Sequence, residues 1–300
     1  MLSFRRIANK PRLIRNFTGL AERQFIELVS TFDKADKNES QSRSKARQRL
    51  TGAGRKPVLS TIEDRLLFIL FYFRFYPTQE VLGFFFSLSQ GQANHWVHRL
   101  TPVVNAALGY KMQLPERKPA NIEKILSECP DLQFIIDGTE RPIVRPKDRA
   151  RQKKYYSGKK KRHTVKNLVV SEKKSKRIKV LSPTYEGKKH DKAIASEQEI
   201  SFPPGSILYQ DTGFQGYQPP GILTIQPKKK PRKRELTDRE KRTNRAISRQ
   251  RIRVEHSIGG VKIYRIVKDI YRNHKPDYED LVFETTIGLY NFRIAKRIAA

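Results

Sequence analysis

The 300-residue sequence predicts an α/β protein in which a mixed-sheet domain follows an all-α region. Three observations carry this. Up to Leu100, apolar residues recur at helical spacing between cap-type residues. After Pro130, short runs rich in β-branched and aromatic residues replace that pattern. From Thr237, a long polar helix returns.

In chain order, Phe17 to Phe32 reads as an amphipathic helix with Leu20, Phe25, Leu28 and Val29 on one side. Asp33 to Pro57 is polar and charged, and reads as a linker or mobile basic arm. Leu59–Ser60–Thr61 then offers an N-cap for an almost wholly apolar helix through Ile62, Leu66, Leu67, Ile69, Leu70 and Phe73. Thr78 caps a second helix, Gln79 to Phe86, and Ser87 to Ser89 form a tight turn. A third helix runs from about Gln90 to Leu100, with Ala93, Trp96, Val97 and Leu100 on one face. Its other face carries Gln92, Asn94, His95, His98 and Arg99. Helix, tight turn and a helix with amides and cations outward is the helix-turn-helix pattern, whose side chains can read base edges in the major groove. A three-helix packing module with a solvated outer face fits the same residues.

Ile122 to Pro130 reads as a helix and turn. Leu132 to Ile136 is then a short strand ending on Asp137. His163 to Ser171 and Ile178 to Thr184 read as a hairpin. His190–Asp191 opens a helix to about Glu199, with Asp191 serving either as its N-cap or in support of a site. Ile207 to Tyr209 is a buried-type strand leading to Asp211, and Ile222 to Ile225 another. Thr237 and Glu240 form a capping box for a helix that runs past Glu255. The expected domains are therefore an N-terminal helix with linker (1–57), a helix-turn-helix region (58–125) and the mixed-sheet domain (126–300).

Composition limits the function. There are 62 Lys+Arg against 30 Asp+Glu, a net charge of +32. Arg141 to Lys189 holds 19 Lys/Arg and 3 acids, and Lys228 to Arg253 holds 13 and 3, so most of the excess flanks Asp211. Such self-repulsion calls for a polyanion, and nucleic acid is the expected partner. The longest apolar run, Leu66 to Phe73, is too short to span a membrane. The N-terminus interrupts any apolar signal stretch with Arg and Lys. A single cysteine, Cys129, allows neither an internal disulfide nor a multi-cysteine zinc site. The expectation is a soluble, cytoplasmic, nucleoid-associated protein of a reducing compartment.

Asp137 and Asp211 each end a strand of similar style, and Glu255 is an acid within an otherwise basic helix. Carboxylates so arranged can hold two hard divalent ions, Mg²⁺ or Mn²⁺, which activate a hydroxyl and stabilise the leaving oxygen of a phosphodiester. Taken singly, each acid is equally a turn former or a solvated helix residue.

The order DGTERP (137–142), QDTGFQG (210–216) and Arg251–x3–Glu255–x6–Lys262 resembles the DDE transposases of bacterial insertion sequences, in the branch related to Harbinger-type transposases. Ser248 stands where that family's signature has tyrosine. The resemblance covers roughly residues 55 to 295. It implies a ribonuclease-H-like catalytic domain, with Asp137, Asp211 and Glu255 holding two ions and Arg251 and Lys262 contacting DNA from one helical face. It also implies double-stranded DNA as substrate, both at the element's inverted repeats and at the target, and a homo-oligomer pairing two ends. The alternative is a transposase-derived DNA-binding protein without catalysis.

Overall fold

A computed structural model describes residues 1–44, 57–231 and 234–298. The chain forms two compact units. One comprises residues 1–114, 262–269 and 275–293, and the other comprises 115–261, 270–274 and 294–300. The three expected segments do not map one to one onto these units. The N-terminal helices and the helix-turn-helix region share the first unit with residues 262–269 and 275–293.

The first unit begins with α1 (Phe4–Ile7), α2 (Pro11–Thr18) and α3 (Glu22–Ser44). The single helix expected over 17–32 is in fact broken at Gly19, which ends α2 in the left-handed conformation (φ 77°). A side chain there would also meet the Tyr264 ring at 3.1 Å, so glycine is required on two counts. Gln24 then accepts from Ala21 N and opens α3. That helix continues through the polar segment read as linker, as far as residue 44. The rest of that segment, 45–56, lies outside the described residues. The reason is tertiary. The buried Asp36 carboxylate accepts from Arg65 at 2.5 Å and Arg99 at 2.9 Å, and Lys37 pairs with Asp33 one turn back.

Next come α4 (Ile62–Phe75), α5 (Gln79–Phe86) and α6 (Gln90–Tyr110). Thr61 and Thr78 cap α4 and α5 as expected, and a Ser89–Gln92 capping box opens α6. Leu66 to Phe73 are all buried, consistent with a helix that is apolar on every side. The turn between α5 and α6 is tight. Ser87 is left-handed, and a Cβ on Gly83 would lie 2.4 Å from Leu88 O.

The second unit opens with α7 (Pro119–Ser127) and β1 (Gln133–Pro142), followed by α8 (Arg149–Tyr155), β2 (Tyr156–Ser157) and β3 (Arg162–Glu172). Then come β4 (Ile178–Leu181), β5 (Tyr185–Glu186), α9 (Asp191–Gln198), β6 (Ile207–Tyr209), β7 (Leu223–Ile225) and α10 (Asp238–Val261). The last helix, α11 (Tyr278–Ile298), belongs mostly to the first unit.

The sheet is mixed. β1 pairs antiparallel with β3, whose far edge takes β4, β5 and β2 in turn. On its other side β1 runs parallel to β6, and β6 runs parallel to β7. This is the expected ribonuclease-H-like mixed sheet. Phe134, Ile136, Leu168, Val170 and Leu208 pack on one of its faces against Ile122 and Leu126 of α7 and Ile194 and Ala195 of α9. Burial of that many large side chains is the main stabilising term of the unit. One expectation fails: β1 does not end at Asp137 but continues to Pro142, paired with β3 throughout. Among the described residues, no helix is long and apolar enough to cross a membrane.

Candidate active site

Along β1, Phe134 and Ile136 enter the core cluster, so Ile135 and Asp137 project from the opposite face. The parallel register sets Ile135 beside Tyr209. Two residues further on in each chain, Asp137 and Asp211 therefore emerge side by side at the carboxyl end of β6. The crevice beyond such strand ends is where open α/β sheets bind ligands. Asp211 is held there by a short 3₁₀ turn, Thr212–Phe214, which it caps through Gly213 N.

Arg251 of α10 reaches both acids. Its guanidinium lies 3.9 Å from Asp137 Oδ1 and 3.6 Å from Asp211 Oδ2. All three side chains are largely shielded, at 18% exposure for Asp137, 30% for Asp211 and 12% for Arg251. Burial pushes the Asp137 carboxyl up to about 6, against the opposing pull of Arg251; Asp211 and Asp191 push it further up.

Of the two roles open to Asp191 in the sequence, N-cap or support of a site, the first does not hold. His190 holds the N-cap position of α9, without a side-chain cap. Asp191 is the first helical residue, and its carboxylate turns back onto the strand. It pairs with Lys166 of β3 at 3.0 Å, and a Cβ on Gly138 would lie 2.7 Å from its Oδ1. A Cβ on Gly213 would meet both Asp211 Oδ1 (2.9 Å) and Asp191 Oδ2 (3.2 Å). Two glycines thus leave the room in which Asp137, Asp191 and Asp211 converge. Lys166 also donates to Lys189 O, and Glu140 accepts from Thr164, so these residues brace the strand behind the acids.

Glu255 comes from the same helix as Arg251. It is exposed on α10, one turn past Arg251, or about 6 Å along the axis. Lys262 follows the last residue of α10, so it does not continue the helical face of Arg251 and Glu255. Arg251 itself faces the two aspartates, where the sequence reading had it on DNA.

Among the described residues, no three acids or histidines already form a metal cage. The donor set nevertheless suits a hard cation. Three carboxylates converge, and Asp191 Oδ1 is buried without a hydrogen bond of good geometry. Polar atoms in that condition call for a further ligand.

The helix-turn-helix face differs from expectation in part. His95 and Gln92 are exposed and Asn94 is half-buried. Gln92 spends its carbonyl oxygen on the capping box. His98 packs on the Tyr278 ring, and burial lowers its pKa. Arg99 lies over Trp96 and is held by Asp36 and Ser40. These last two serve the packing of α6, whose length of 21 residues turns that side toward α3 and α11.

Two family models match the chain. The DDE superfamily endonuclease family matches residues 136–291, more than half of the chain. The helix-turn-helix of DDE superfamily endonuclease matches residues 57–109. The chain is similar to a probable transposase for insertion sequence element IS702 from Microchaete diplosiphon, with 29% identity over 95% of each chain. It is also similar to a putative transposase for insertion sequence element IS112 from Streptomyces albus G, with 26% identity over 87% of this chain and 88% of that one. No solved structure matches.

Proposed function

The chain belongs to the DDE superfamily endonuclease family, and from that premise we propose that it is a transposase. In this reading it cleaves the ends of a mobile DNA element and joins the freed 3′-hydroxyl to target DNA. The observation that carries the proposal is the parallel register that sets Asp137 and Asp211 side by side with Arg251 against both.

Asp137 and Asp211 would hold divalent ions, Mg²⁺ or Mn²⁺, with Asp191 beside them and Glu255 as the acid supplied by α10. Bound there, such ions supply a deprotonated nucleophile and neutralise charge on the leaving oxygen. The chain's own residues do the rest. The β1–β6 pairing fixes the spacing of the two acids, while Lys166 anchors Asp191. Arg251 adds positive charge at the place where a phosphodiester must approach two carboxylates. Among the α6 residues, His95, Gln92 and Asn94 are the candidates for reading bases in the element's ends. An oligomer pairing two ends completes the proposal. A DNA-binding protein without catalysis is not favoured, since Asp137, Asp211 and Glu255 are all retained.

The test is strand cleavage of duplex DNA carrying the element's inverted repeats, with Mg²⁺ present. Wild-type cleavage that vanishes in Asp137→Ala while DNA binding persists supports the proposal. Cleavage retained in the variant overturns the metal assignment.

A further inference from the structure

A polar cleft of about 250 Å³ opens at the other end of β1, lined by Asp131, Gln133, Lys173, Lys174, Gln250 and Arg253. Three cations there face one carboxylate. The Lys173 ammonium donates to Gln133 Oε1 at 2.8 Å and Tyr209 Oη at 3.2 Å, and lies 4.6 Å from the Tyr209 ring centre. All of these partners are neutral, so the group is oriented without being neutralised. Arg253 is anchored by one N–H to Lys173 O at 3.2 Å, which leaves most of its donor fork for another ligand. Asp131 offsets little, because its 3.7 Å pair with Lys174 is well exposed and screened by solvent. An oriented ammonium, a guanidinium and two amides make a donor set for phosphate oxygens.

The position of the cleft gives the ligand its context. Gln133 precedes Asp137 by four strand residues, about 13 Å at ~3.3 Å each. That is the axial rise of about four base pairs at ~3.4 Å each. One helix serves both places: α10 sends Arg251 to the acids, and Gln250 and Arg253 to the cleft.

We propose that this cleft is a second DNA-backbone site, holding one phosphodiester about four base pairs from the bond addressed at Asp137. The distance rests on the transposase reading, whereas the phosphate chemistry does not.

The experiment measures binding of a fluorescent duplex of arbitrary sequence across a salt series, with no cleavage involved. Lys173→Gln should lower the slope of log affinity against log salt by about 0.9, the value for one phosphate. Adding Arg253→Gln should lower it no further, since both cations serve the same phosphate. Gln250→Glu, which places a carboxylate in the cleft, should weaken binding about tenfold, a loss of about 1.4 kcal/mol. Melting curves for each variant verify folding, and the exposed Lys241→Gln is the surface control. An unchanged slope in Lys173→Gln together with unchanged affinity in Gln250→Glu would overturn the proposal, as would a double variant that loses twice the single effect. Calorimetry with inorganic phosphate adds an arm. Binding that Lys173→Gln abolishes, with the duplex slope unmoved, identifies a free-phosphate site and overturns the DNA reading. Failure of Asp137-dependent cleavage leaves each of these results readable.

Discussion

Asp137 on β1 and Asp211, two residues beyond the end of the parallel strand β6, share one counter-ion: the Arg251 guanidinium lies 3.9 Å from the first and 3.6 Å from the second. Arg251 is therefore the counter-charge of the pair. Replacing it by glutamine should destabilise the protein by about 1–2 kcal/mol, the scale of a lost partly buried charge contact. Mn²⁺ should then raise the melting temperature of Arg251→Gln more than that of the wild type. Equal Mn²⁺ shifts in the two proteins would contradict the counter-charge role.

Gly138 lies against the Asp191 carboxylate, where an added Cβ would sit 2.7 Å away. Gly138→Ala must push that carboxylate aside. The expected cost is about 1–3 kcal/mol from overpacking, with cleavage reduced at least as far as in Asp191→Asn. A variant as active as the wild type would show that the position of Asp191 is immaterial.

Asp191 and Glu255 can be compared directly. Titration of Mn²⁺ by calorimetry should show about 10–100-fold weaker binding in Asp191→Asn, since the residue orients or joins the ligand set. In Glu255→Gln, cleavage should fall while the melting temperature stays close to the wild type, because the side chain is exposed. An unfolded Glu255→Gln protein would assign that residue to the fold instead.

Asp137 and Asp211 were legible because apolar runs stop abruptly at a polar residue and strand periodicity is local. Asp191 was not. Its sequence context, an acid opening a helix, fits an N-cap equally well, and only the fold brings Lys166 and Gly138 to it. The overrun of β1 was hidden for a similar reason. Gly138 to Arg141 has poor strand propensity, but pairing with β3 satisfies its backbone, and the buried Arg141 is held by Asn167 at 2.8 Å and Thr184 at 3.0 Å. In α3, polar residues past Phe32 looked like linker until Asp36 found two arginines that are distant in sequence. The cap at Thr78 is a short-range device and was readable to the residue, and the cap at Thr61 to within the stretch Leu59–Thr61.

Asp36 yields a prediction of its own. Asp36→Ala leaves Arg65 and Arg99, each less than one-fifth exposed, without their carboxylate. The expected loss is about 3 kcal/mol, read by urea unfolding. Releasing Arg99 also unpins α6 from α3, so duplex binding should change with it. A loss well below 1 kcal/mol would mean that water satisfies both guanidinium groups.

Alkaline pH should unfold the protein in a defined window. Burial pushes the Cys129 thiol up to about 11 and the Tyr217 and Tyr264 phenols up to about 12. Each group keeps its proton longer in the folded chain. Their contribution is complete below pH 9, the ordinary thiol value, and is lost as pH rises through 11 and 12. Melting temperatures measured upward from pH 9 should fall steadily, and thiol-directed alkylation at neutral pH should be slow until denaturant is added. Rapid alkylation of the native protein would contradict the burial of Cys129.

The two central acids sit on scaffolds of unequal strength. β1 is paired with β3 without a break from Phe134 to Pro142, so the amides around Asp137 should exchange with deuterium only when the whole sheet opens. β6 pairs with β1 over just Ile207 to Tyr209 before the chain turns at Asp211. Local opening there breaks far fewer hydrogen bonds. Any adjustment of the acid spacing to a distorted substrate would thus be made by Asp211, with Asp137 as the fixed jaw.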